Sequence, residues 1–180
     1  MTEGGRTRDP IRNRDGDVVY TSFQERPQPA FALDPLHKGL LGISAVLALG
    51  LFVYFFFRSL SMDENLPMHY DFSGDVTRVG SSWESVGTLA MLAVTTVGVV
   101  ILARYPRIYN FPFMLTEHNV QRQYKNAVQM MAWLAFSCAL IMLVMVGSWL
   151  GVFSVHWTWV AVALMMLSLG YFMWRMFKFR

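Results

Sequence analysis

Two stretches of 19 residues without a single charged side chain, Gly39–Phe57 and Ser85–Ala103, constrain this chain more than any motif does. At about 1.5 Å rise per residue, a helix of that length crosses the roughly 30 Å hydrocarbon core of a bilayer. A third apolar run follows, with no Asp, Glu, Lys or Arg between Lys125 and Arg175. It is too long for one span. The Gly151-Val152-Phe153-Ser154-Val155-His156 stretch divides it into 127–150 and 157–174. The expected fold class is therefore an all-α membrane protein with four transmembrane helices, at about 39–57, 85–103, 127–150 and 157–174. Charged residues make up only 15% of the chain, against about 25% in soluble domains.

Residues 1–36 are polar, carry Gly4-Gly5, Pro10, Pro27 and Pro29, and show no apolar periodicity, which reads as a disordered tail. Through Lys38 this part holds six bases and six acids, so neither a lipid-binding polybasic arm nor a nucleic-acid patch is expected. The domain division is a tail, 1–36, and a four-helix membrane domain, 37–180. Fifteen bases set the orientation: six in the tail, two in the 58–84 loop, four in the 104–126 loop and three at the C-terminal end. Positive residues favour the cytoplasmic side, so both termini are expected to be cytoplasmic, in a plasma-membrane protein. The 58–84 loop then faces outward, with Asp63, Glu64, Asp71, Asp75 and Glu84 against Arg58 and Arg78.

That outer loop holds the densest polar chemistry. Pro67 biases Leu66 towards an extended conformation, and Asp71 and Gly74 suit the first and last positions of a type I turn. Pro67, His69, Tyr70, Asp71, Gly74 and Asp75 are the candidate contact residues for a ligand or partner, since a ring donor, a phenol and a carboxylate at a turn bind through a few oriented hydrogen bonds. In the inner loop, Pro106 and Pro112 keep the chain irregular. Asn110, Pro112, Glu117 and Asn119 are the candidates there for holding this segment or meeting a partner. Thr116 reads as an N-cap, with Glu117 in the first turn. Val120, Tyr124, Val128 and Met131 fall on one face of the helix entering the third span, while Gln121, Arg122, Lys125 and Gln129 face away.

Leu66-Pro67-x-His69-Tyr70-x-x-x-Gly74 followed by Gly80-Ser81 resembles the outer-loop signature of the membrane family catalogued as domain of unknown function 1648, related to the N-terminal part of SdpI-type immunity proteins. Tyr109-Asn110-Phe111-Pro112, Thr116-Glu117-x-Asn119 and Arg122-Gln123-Tyr124 look like the inner-loop continuation of its short members. The resemblance covers roughly residues 47–131. Where members carry a Lys after the Gly-Ser, this chain has Ser82-Trp83. The resemblance implies protection against a secreted toxin or relay of its presence, although SdpI-type proteins carry a further membrane domain.

Other chemistry is sparse. Asp71, Ser73, Asp75 and Thr77 alternate as at the start of a calcium loop, but the glycine falls at Gly74 and position twelve is Ser82, so turn formation is the better reading. His69 and His156 are expected outside and His118 inside, which excludes a shared zinc site, and no metal or cofactor is expected. Cys138 reads as a small buried hydrophobe. The expected spans contain no Asp, Glu, Lys, Arg or His, unlike most ion pathways. Gly147-x-x-x-Gly151 reads as a helix stop as readily as a packing motif. The expected function is a small accessory or sensing, immunity-like membrane protein, not an enzyme. Its partners are the bilayer and a membrane protein or a second copy. The alternative is a subunit of a transporter or channel.

Overall fold

The computed structural model describes residues 11–180. Four helices, α1 (Pro35–Ser59), α2 (Ser82–Leu102), α3 (Val120–Trp149) and α4 (Trp157–Lys178), are each long and apolar enough to cross a membrane. The chain is a multi-pass, all-α membrane protein. Two small antiparallel sheets accompany the helices, β1 (Val19–Tyr20) with β4 (Leu115–Thr116), and β2 (Leu66–Tyr70) with β3 (Val76–Gly80).

Local chemistry sets the helix starts earlier than the apolar runs do. Asp34 caps α1 by accepting the His37 N–H at 3.2 Å, and Pro35 occupies the first turn, where its missing N–H costs nothing. Ser81 caps α2 by accepting the Glu84 N–H, with Glu84 itself in the first turn. The end of α3 is a helix stop, as one reading of Gly147 and Gly151 anticipated. Gly151 has φ +70°, the Val152 N–H reaches Gly147 O at 2.7 Å, and the Gly151 N–H reaches Ser148 O at 3.1 Å. This 6→1 and 5→2 pair satisfies carbonyls that the helix would leave bare. A side chain at Gly147 would collide with the Phe153 ring, which folds back over it.

α3 is the spine, packing against α1, α2 and α4. Fully buried Ala132, Ala135 and Ala139 present only methyl groups, so neighbouring backbones approach closely. At one end Ala48, Phe55, Leu66, Val86, Leu89, Met142, Val146 and Trp149 form a core beneath the β2–β3 hairpin, hereafter the hairpin end. At the other, Tyr109, Ala127, Val128 and Met176 pack with Phe31, Leu33, Phe111 and Phe113, and Leu115, Val120 and Tyr124 form an adjoining cluster. This tail end gathers the chain before α1, the α2–α3 connection and the end of α4.

Three expectations need correction here. The segment 11–34 does not trail away: Val19 pairs with Thr116, and Tyr20 with Leu115. Arg26 Nη1 donates to Arg107 O and Tyr109 O, both at 2.7 Å, with its guanidinium 4.7 Å from the Phe23 ring centroid. Polar composition suggested disorder, but the bonding partners lie some 80 to 100 residues away, outside any local window. Residues 1–10 of the expected tail lie outside the described part. Secondly, Thr116 is in β4 and does not cap α3. Asn119 occupies that position, its Oδ1 accepting the Thr116 N–H at 3.0 Å, and Glu117 lies before the helix. Thirdly, Gln129 faces inward. Its Nε2 donates to Asp34 Oδ2 at 2.9 Å and its Oε1 accepts from Arg175 at 3.2 Å.

Gln129 belongs to a buried amide series that the apolar pattern concealed. Gln123 Nε2 donates to Met176 O and Asn126 Nδ2 to Phe172 O, each at 2.9 Å, tying α3 to the end of α4. Hydrogen bonding to the His37 ring, 2.6 Å away, and then to Gln129 holds the Asp34 carboxyl well below the usual carboxylate range.

If Arg26 fastens the leading segment to the α2–α3 connection, Arg26→Ala should cost about 1–3 kcal/mol of local stability through two lost charged hydrogen bonds. Limited trypsin digestion in mild detergent would then cut at Arg12 and Arg14 much faster than in the parent, leaving the four helices intact. Equal cutting rates would show that the segment is not fastened there.

Candidate functional site

The site is built where the β2–β3 hairpin lies against the α3–α4 corner. Leu66 is buried among Phe55, Val86, Leu89 and Trp149, which anchors the start of β2 in the apolar core; burying such a side chain contributes about 2 kcal/mol. Trp149 Nε1 then donates to Pro67 O at 2.8 Å. Pro67, which lacks an N–H, thus supplies a backbone acceptor to the only polar atom of a buried indole. Three residues on, Tyr70 Oη and Ser148 Oγ lie 3.1 Å apart. Successive residues of α3, Ser148 and Trp149, therefore hold both ends of β2.

The hairpin registers Leu66 with Gly80, Pro67 with Val79, His69 with Arg78 and Tyr70 with Val76, with irregularities on either side of His69. Such irregularities re-aim side chains out of strict alternation. Its tip is the expected turn. The Gly74 N–H donates to Asp71 O at 3.1 Å, and Asp71 Oδ1 accepts the Asp75 N–H at 2.8 Å. Gly74 takes φ +90°, the left-handed region where glycine alone is unstrained. A Cβ there would also meet the His156 ring at 2.6 Å. Phe72 packs on Trp159, ring centroids 5.1 Å apart.

Between these elements is a cavity of about 270 Å³. Pro67, Met68, His69, Tyr70, Asp71 and Gly74 line it from the hairpin, Met145, Ser148 and Trp149 from α3, and Val155, His156, Thr158, Trp159 and Val162 from the corner and α4. Five of the six outer-loop candidates thus share one wall. Asp75 stays at the turn, away from the lining. His69 is held by Thr77, Nδ1 to Oγ1 at 2.6 Å, across the hairpin. Arg78 pairs with Glu84 at 2.5 Å, fixing the hairpin to the start of α2.

The sequence reading missed the opposite wall. Ser148, Trp149, His156 and Trp159 lie in or beside apolar runs, and the signals available were the indole and imidazole polar atoms flanking Gly151. The arrangement offers apolar walls with few polar groups, suited to an aromatic or short aliphatic moiety oriented by hydrogen bonds.

The inner-loop candidates do not gather into a second site. Asn110 and Pro112 are exposed, Asn119 is buried and braces the loop through Thr116 N–H and Met114 O, and Glu117 Oε1 accepts the Val18 N–H at 3.3 Å. Burial raises the Tyr109 phenol above its usual range, and its hydroxyl donates to Leu102 O at 2.9 Å. Of these groups Glu117 bonds the leading segment directly, and Asn119 braces the strand that pairs with it.

Comparison with protein-family models, with curated proteins and with solved structures gives no match for this chain.

Proposed function

We propose that this is a sensing or accessory protein of the plasma membrane, which takes up a small apolar group of an extracytoplasmic ligand or partner in the cavity under its hairpin. The single observation that carries this reading is the cavity of about 270 Å³, closed on one side by Pro67–Asp71 and on the other by Trp149, His156 and Trp159. A flexible connector would bury neither Leu66 nor an indole N–H. Excess acid on the hairpin and its margins favours a ligand or partner with a positive group beside its apolar one. The orientation rests on the thirteen bases expected at the tail end against two at the hairpin end, which put both termini in the cytoplasm. The likeness of the hairpin sequence to the outer loop of the domain of unknown function 1648 family agrees with an SdpI-like protective or relaying role.

A non-enzymatic role fits the pairing of the polar groups. His69 is engaged with Thr77 and Tyr70 with Ser148, so hydroxyl and imidazole serve the fold of the hairpin. The alternative, a transporter or channel subunit, would draw on the amides of α3, but Gln123 and Asn126 spend their N–H groups on carbonyls of α4.

A photoreactive residue in place of Tyr70, activated in intact cells, tests the reading. The expected outcome is a discrete adduct that Thr158→Trp, which fills the cavity, abolishes without lowering membrane abundance. Adducts equal to those from lipid-facing Val94 would overturn it. In the same cells an impermeant thiol reagent should label a cysteine placed at Ser73 and spare one at Gln24; the reverse pattern would invert the topology.

A further inference from the structure

The leading segment carries chemistry that the hairpin cavity does not use. Asn13 Oδ1 accepts the N–H groups of Asp15 at 3.0 Å and Asp17 at 2.9 Å, while Asn13 Nδ2 donates to Asp17 Oδ2 at 3.2 Å. One Asp17 oxygen is therefore tied down and the other, Oδ1, stands 3.3 Å from His118 Nε2. Glu117 Oε1 lies 4.0 Å from the same nitrogen. One donor atom each from Asp17, Glu117 and His118 falls within 4.8 Å of the others. Strand pairing makes this convergence: Val19 sits opposite Thr116, the Glu117 N–H donates to Val18 O at 3.1 Å, and the Val18 N–H donates to Glu117 Oε1 at 3.3 Å.

We propose that Asp17, Glu117 and His118 form a binding site for a divalent first-row transition metal, with zinc(II) the best fit, which clamps the leading segment to the start of α3. Two carboxylates and one imidazole nitrogen are the mixed oxygen and nitrogen set that such ions take, unlike the all-oxygen cages of calcium and magnesium. The spacing agrees. Bonds of about 2.0–2.1 Å in a tetrahedron put neighbouring donors roughly 3.3–3.4 Å apart, and Asp17 Oδ1 to His118 Nε2 is 3.3 Å. Glu117 Oε1, 4.0 Å from that nitrogen, needs only a small side-chain shift to reach the same spacing, and one lone pair stays free for the metal while the other accepts the Val18 N–H. A bare ion pair between His118 and Asp17 needs no second carboxylate. Here a backbone N–H aims the second one at the same nitrogen, and Asn13 orients the first, the outer support that metal-binding carboxylates show. A groove of about 950 Å³, lined by Asn13, Asp15, Asp17 and His118 among others, leaves room for water in the fourth position.

Isothermal titration of the full chain in mild detergent, without a polyhistidine tag, tests this with Zn²⁺ as the probe. The expected result is one saturable site whose affinity falls at least about tenfold in each of His118→Ala, Asp17→Asn and Glu117→Gln, and is unchanged in His69→Ala and His156→Ala. Zinc should also slow trypsin cleavage at Arg12 and Arg14 in the parent and not in His118→Ala, a readout independent of the titration. The His118 side chain is 70% exposed and donates to no backbone group among the described residues, so His118→Ala reads ligand loss apart from loss of fold. Absence of a saturable site in the parent, unchanged affinity in all three variants, or loss of binding in the His69 or His156 variants would each overturn the proposal.

Discussion

The hydrogen bond from the Trp149 indole to Pro67 O is the contact on which the hairpin end depends. Buried at the foot of the hairpin, it lies where an unpaired polar group costs about 1–3 kcal/mol. It fixes the β2 strand to the last turn of α3, and Tyr70 with Ser148 repeats the attachment three residues along the strand. Everything at this end follows. Leu66 enters the core, the turn at Asp71–Gly74 is carried over the start of α4, and His156 fills the space that glycine leaves at position 74.

The two ends of the bundle differ in how much polar bonding joins their helices. At the hairpin end a short sheet is pressed onto an apolar core. At the tail end polar ties are added to apolar packing, the amides of Gln123, Asn126 and Gln129 bonding to Asp34, Arg175 and carbonyls of α4 beside the Val128 and Met176 cluster. α3, with 30 residues, is roughly 45 Å long, longer than the hydrocarbon core it crosses. Its first turns carry these amides, and their bonds to carbonyls of α4 hold the two helices together at this end.

The four helices were legible because freedom from charge over a bilayer's width is a local property, read directly from 39–57 and 85–103. The Asp71–Gly74 turn was legible for the same reason, since Asx and glycine positions act within four residues. What the sequence concealed is long-range. Polar residues in 11–34 read as disorder because their partners, Arg107, Tyr109, Thr116 and Gln121, lie far along the chain. Thr116 read as a helix cap and Glu117 as the first turn because a threonine before an acid mimics a helix start, yet that stretch pairs with β1. Gln129 read as exposed because a glutamine on an apolar helix pays for burial only when a partner such as Asp34 is already in place. The cavity was half visible: its hairpin wall lies within one short stretch, 67–74, and its other wall is scattered through Met145–Val162.

The central claim is that the hairpin is a rigid roof docked on the α3–α4 corner. Spin labels on cysteines placed at exposed Val79 and Val152, with Cys138 replaced by Ala, measure this by pulsed electron paramagnetic resonance in lipid nanodiscs. The account predicts a single narrow distance distribution that broadens when Trp149→Phe removes the indole N–H. A broad distribution in the parent, or one that Trp149→Phe leaves unchanged, would contradict it.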